Sequence, residues 1–113
     1  MHEASIAIEL VQLASEQALL NNATRVLKVG IRIGELSSVI PESLAFAWND
    51  STLGTICENS KLEIERVKAI AICPNHGEVT LKLQKGLRCP ICNTPTPNIV
   101  QGEELELDTL ELV

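Results

Sequence analysis

Two short stretches carry the residue types that do metal chemistry. Cys73-Pro74-Asn75-His76-Gly77 and Cys89-Pro90-Ile91-Cys92-Asn93 repeat one pattern, in which Cys-Pro-x-ligand is followed by a residue that tolerates positive φ. In a zinc knuckle the turn between two ligands aims backbone N–H groups at the first sulfur. Three thiolates and one imidazole from Cys73, His76, Cys89 and Cys92 meet zinc's preference for four tetrahedral N and S ligands, and such a closed set has no position for a substrate water. The pattern therefore predicts a structural zinc site. A redox Cys89–Cys92 pair would sit where a strand enters a helix, and Pro95 and Pro97 oppose a helix there. The fourth cysteine, Cys57, stands apart and reads as a small buried apolar residue.

A second donor set lies at Met1-His2-Glu3. A free terminal amine, the following amide nitrogens and the His2 imidazole can enclose a square-planar divalent ion, a geometry that selects Ni(II) or Cu(II). Glu3 offers a further carboxylate, either as a ligand or as an acceptor behind the ligands. His2 and His76 are the chain's two histidines, so both are engaged by these readings.

The elements that must position these groups follow from periodicity. Residues 3–22 place Ile6, Leu10, Leu13, Ala14 and Ala18 on one helical face, with Asn21 and Asn22 as terminators. Residues 25–34 alternate, with Leu27, Val29, Ile31 and Ile33 inward, and form a strand. Pro41 opens a second helix that Gly54 stops. Residues 61–72 read as a second strand and 104–113 as a third, with a bulge near Asp108–Thr109 because the leucines change phase there. From Ile72 to about Gly102 lie three of the four cysteines and four of the five prolines. A stretch that long needs its own organiser, and a bound metal supplies one.

Composition narrows the function. Fifteen acids against nine bases give a formal charge of −6, which opposes binding to nucleic acid or an anionic membrane. Aromatic residues are 2%, so the core must be aliphatic and stacking on bases is disfavoured. No apolar run reaches the ~20 residues of a membrane span, and His2 and Glu3 stand where a signal peptide is basic. These features predict a cytoplasmic protein. With both histidines assigned to metal and no Ser/His/Asp set to assemble, an enzyme is not expected.

Met1-His2-Glu3 before an amphipathic helix, Arg32-Ile33-Gly34-Glu35-Leu36-Ser37 after a strand, Pro41-Glu42-Ser43-Leu44, Phe46 and the late paired knuckles together resemble the HypA/HybF family, nickel metallochaperones of [NiFe]-hydrogenase maturation. The resemblance runs over essentially the whole chain in the same element order. It implies an α+β fold of two helices packed on a three-stranded sheet with an inserted zinc-ribbon module. The nickel-binding domain would comprise residues 1–69 and 102–113, and the zinc ribbon 70–101. It further implies nickel as transient cargo at His2 with the Met1 amine and Glu3, structural zinc at Cys73, His76, Cys89 and Cys92, a GTPase partner, HypB, and delivery to the hydrogenase large subunit. The chain departs from the family at His76, where Cys is usual, and at Asn93, where Gly is usual. Two other readings stay open: a zinc-ribbon interaction or regulatory module, and a paralogue serving another target such as urease.

Overall fold

The computed structural model describes residues 3–113. Helix α1 (Glu3–Leu20) leads to strand β1 (Val26–Gly34), helix α2 (Pro41–Thr52), strands β2 (Lys61–Val67), β3 (Ile70–Cys73) and β4 (Gly77–Thr80), a 3₁₀ turn at Leu83–Lys85, and strands β5 (Ile99–Gln101) and β6 (Leu105–Leu112). Two helices and two three-stranded sheets result, the first sheet in the order β2-β1-β6 and the second β4-β3-β5. This is the α+β class read from the sequence.

Helix α1 buries Ile6, Ala7, Leu10, Val11, Ala14 and Ala18. Leu13, expected inside, is 47% exposed, while Val11 takes the buried position. The helix ends in a Schellman arrangement: Asn22 adopts φ 56°, its N–H reaches the Leu19 carbonyl and the Ala23 N–H reaches that of Ala18. Asparagine tolerates this left-handed conformation better than most side chains, so the Asn21–Asn22 terminator works as expected. Pro41 begins α2, where its missing N–H costs nothing, and Leu44, Trp48 and Thr52 form the buried stripe. The Trp48 indole donates to Ser60 Oγ at 3.0 Å, so its one polar atom is not stranded in the core.

Strand β1 is the centre of the first sheet, parallel to β2 and antiparallel to β6. The β1–α2–β2 segment is thus a crossover between parallel strands, with α2 returning the chain. Val26, Val29, Ile31 and Ile33 are buried with the two helices in a core that is aliphatic apart from Trp48. Leu27 corrects the simple alternation. A register shift between Val26 and Lys28 leaves it 40% exposed and brings Val26 inside instead. A second shift, opposite Gly30–Ile31, falls at Asp108, since Thr109 pairs with Gly30 and Leu107 with Ile31. That is the bulge expected from the phase change. It lets Leu105, Leu107, Leu110 and Leu112 all oppose buried β1 residues.

The strand expected over 61–72 divides in two. Glu35 Oε1 accepts the Ala69 N–H at 2.9 Å, and the Ala69 carbonyl accepts from Leu81 N–H at 2.8 Å. The backbone therefore leaves the first sheet after Val67 and enters the second at Ile70. Gly102, at φ +121°, packs against this crossing: a Cβ there would lie 2.7 Å from Ala69 Cα. A separate small core of Ala69, Ala71, Cys73, Val79, Leu81 and Cys89 fills the second sheet, and Leu36 from the loop after β1 packs against it.

Candidate metal centre

The first knuckle closes the β3–β4 hairpin. Strand β3 ends on Cys73, Gly77 starts β4, and Cys73 pairs with Gly77. The second knuckle is held by Cys89 N–H to the Thr94 carbonyl, Asn93 N–H to the Cys89 carbonyl and a bridge between Arg88 and Pro95. The residues between the two, 77–88, contain β4 and the 3₁₀ turn.

The four donor atoms of Cys73, His76, Cys89 and Cys92 all lie within 4.8 Å of one another. Cys73 Sγ is 3.6 Å from both His76 Nδ1 and Cys92 Sγ, and Cys89 Sγ is 3.7 Å from His76 Nδ1. A tetrahedral ion with bonds of about 2.3 Å to sulfur and about 2.0 Å to nitrogen sets its donors about 3.5–3.8 Å apart. The spacing fits zinc. Each knuckle also supplies the expected backbone donor, Asn75 N–H to Cys73 Sγ and Ile91 N–H to Cys89 Sγ, both at 3.4 Å. The residues after the second ligands take the left-handed conformation, Gly77 at φ 72° and Asn93 at φ 62°.

Electrostatics differ among the sulfurs. Cys73 and Cys89 are 1% exposed, whereas Cys92 is exposed. Burial pushes the Cys73 thiol up. Cys92 is held down to about 5, first by the Thr94 side chain and then by the Thr94 backbone and the Asn75 amide. Its Sγ lies 3.2 Å from Thr94 Oγ1 and 3.7 Å from Asn75 Nδ2, and as a thiolate it accepts from both. Neither Thr94 nor Asn75 stood out in the sequence. A hydroxyl two residues beyond a knuckle cysteine was the legible hint. Cys57 is fully buried, its thiol raised by desolvation, with Ser15 Oγ 3.8 Å away.

The second donor set is only partly placed. Glu3 opens α1, half-buried in its first turn. Met1 and His2 lie outside the described residues.

The Arg32–Ser37 segment, which runs from the end of β1 into the following loop and carried part of the family likeness, joins the two sheets. Arg32 donates to Glu65 and Glu106, each at 2.8 Å, and so ties β2 and β6 across β1. Its guanidinium is raised further above its usual range by those two carboxylates. Glu35 and Leu36 then engage the second sheet as described above. No helix among the described residues is long and apolar enough to cross a membrane.

With this geometry established, known proteins give a consistent answer. The family model described as "Hydrogenase/urease nickel incorporation, metallochaperone, hypA" matches residues 1–112. The chain belongs to the HypA family. A hydrogenase maturation factor HypA from Deinococcus radiodurans is 47% identical over 107 residues, covering 95% of this chain and 89% of the relative. That of Chloroflexus aurantiacus is 40% identical and covers 98% of both chains. Among solved structures, the solution structure of the Ni metallochaperone HypA from Helicobacter pylori matches at a TM-score of 0.72 with 26% identity, covering 100% of this chain and 98% of that one. The HypA family is one of nickel metallochaperones for hydrogenase maturation, and the likeness read from the sequence was to this family.

Proposed function

We propose that this chain carries Ni(II) during maturation of [NiFe]-hydrogenase, taking the ion at the Met1 amine, His2 and Glu3. The observation that carries this reading is the HypA match over residues 1–112, which includes the Met1-His2-Glu3 set itself. Intrinsic affinity favours Cu(II) over Ni(II), so planar nitrogen geometry and partner recognition must share the selection. A terminal site suits transfer, since protonation of its amine and amides discharges it. Zinc held by Cys73, His76, Cys89 and Cys92 would be structural, fixing the second sheet as a rigid ribbon. In this reading residues 1–69 and 102–113 form the nickel-binding domain and 70–101 the zinc-ribbon domain. The protein works in the cytoplasm, without catalysis and without nucleic acid. It hands nickel on through the GTPase HypB to the hydrogenase large subunit.

Calorimetric nickel titration of zinc-loaded protein tests this, comparing the free native amine with a chain extended by two residues before Met1. One nickel bound by the native form and none by the extended form supports the terminal site. Equal binding by both places nickel elsewhere, and binding by neither leaves a zinc-ribbon interaction module. The family description names urease beside hydrogenase, which favours urease as the second client to test. Hydrogenase loss on deletion, with urease intact and added nickel restoring activity, supports the hydrogenase assignment.

A further inference from the structure

We propose that the outer edge of β6 is a docking site for an extended, basic segment of a partner protein, which adds to the first sheet as a fourth strand. The inference is independent of where nickel binds. Strand β6 ends the order β2-β1-β6, and among the described residues nothing pairs with its outer side. Arg25 and Val113 exchange two backbone bonds, and Gly34 N–H donates to the Glu104 carbonyl. Alternation between those points, stepped once at the Asp108 bulge, turns the backbone N–H and C=O groups of Leu105, Leu107, Leu110 and Leu112 toward the free side.

An exposed edge is ordinarily blunted by lysine or proline. Strand β2, at the opposite edge, contains Lys61 and Arg66, whereas β6 contains neither basic residues nor proline. Beside the free edge lies an open groove of about 720 Å³ between α1 and β6, with Leu10, Leu13 and Gln17 on one wall and Leu107, Leu110 and Leu112 on the other. The exposure of Leu13, anomalous for a core residue, belongs to this groove.

An added strand would alternate between two environments. Side chains on the helix side would enter the apolar groove. Those on the other side would meet acid. In the network on the open face, Lys28, Arg32 and Lys61 share four carboxylates, those of Glu63, Glu65, Glu106 and Glu111. Asp108 has no ion pair among the described residues. No Lys or Arg occurs over 89–113, nor in the facing helix α1, Glu3–Leu20. The edge thus fits a segment of alternating apolar and basic residues, in the mode where main-chain bonds give affinity and alternate side chains give selectivity.

The probe is a capped peptide alternating valine and lysine over about eight residues, with a shuffled peptide of equal composition and a valine–glutamate alternation as comparators. On the full zinc-loaded chain, amide hydrogen exchange at Leu110 and Leu112 should slow about tenfold or more with the lysine peptide. Amides of Glu106 and Glu111, already directed at β1, should not change. Asp108→Lys should weaken binding about two- to fivefold, the range of one cross-strand charge pair. Raising salt on the unsubstituted chain should weaken it likewise and gives a second measure if the variant folds poorly. Equal protection by the shuffled or glutamate peptide, or none with any peptide, overturns the proposal. Protection that rises with protein concentration alone also overturns it, because the occupant would then be a second copy of the chain.

Discussion

Replacing Gly34 by alanine strikes the joint between the two sheets without touching either metal-donor set. Gly34 has no positive φ, so alanine is acceptable there by conformation and the cost is steric. An added Cβ overlaps the Gly102 carbonyl and approaches Glu103 N to 2.6 Å, and all of these are backbone atoms with no flexible end to swing aside. Relief requires the 102–104 segment to move away from β1. That motion removes the Leu36 N–H bond to the Gly102 carbonyl, now 2.7 Å, and the Gly34 N–H bond to Glu104, now 2.8 Å. Two backbone bonds at about 1 kcal/mol each and an overpacking penalty of about 1–3 kcal/mol place the loss at about 3–5 kcal/mol. With a urea slope of about 1–2 kcal/mol/M, the unfolding midpoint should fall by about 1.5 M or more. Trp48, the one tryptophan, is buried against Ser60 and reports the transition by its fluorescence. Gly54→Ala is the comparator: its φ of +77° strains alanine but nothing lies within 4 Å of the new Cβ, so only about 1 kcal/mol is expected. Zinc stoichiometry should hold in both, since the four donors and their N–H supports lie within 73–94. A Gly34→Ala loss below about 0.5 kcal/mol, or one no larger than that of Gly54→Ala, would refute the steric account.

Ser60→Ala should cost about 1–3 kcal/mol in urea unfolding, because the buried Trp48 N–H loses its acceptor. In zinc-free protein at pH 6, iodoacetamide should label Cys92 before any other cysteine. A thiol held near 5 is ionised at that pH, whereas buried Cys73 and Cys57 are raised above their usual value and stay protonated. Thr94→Val should slow the labelling of Cys92 at pH 6 and matter little at pH 9, where an ordinary thiol ionises anyway; peptide mass spectrometry reads both results, and an unchanged rate at pH 6 counts against the Thr94 contact.

What was legible in the sequence was whatever local chemistry enforces. The knuckles could be read because ligand spacing and the positive-φ residues Gly77 and Asn93 are fixed within five-residue windows. The helix ends could be read because Asn22 and Pro41 act through their own backbones. The Asp108 bulge showed as a phase change among leucines. The failures lie where a distant residue decides. One strand was read over 61–72 although Arg66 and Lys68 fall in the inward phase of Leu62 and Ile64, and the turn at Ala69 is fixed by Glu35, more than thirty positions earlier. Leu27 and Leu13 had the right type for the core, but one sits at a bulge and the other beside an open groove. Arg32–Ser37 carried a family likeness without a mechanism, because its work is contact with residues 65, 69, 102 and 106.

The contact of Ala69 with Gly102 bears on the order in which the chain folds. Strand β6 must find β1 across everything between Val67 and Leu105, an intervening segment whose closure as a free loop is entropically unfavourable. Once the second sheet exists, its entry and exit are already side by side, and the effective loop shrinks to a few residues. By the logarithmic dependence of closure entropy on length, that contraction is worth about 2 kcal/mol toward placing β6. A metal ion settling early on Cys73, His76, Cys89 and Cys92 would thus act at a distance on the first sheet, raising the rate at which its last strand pairs while leaving the pairing itself unaltered.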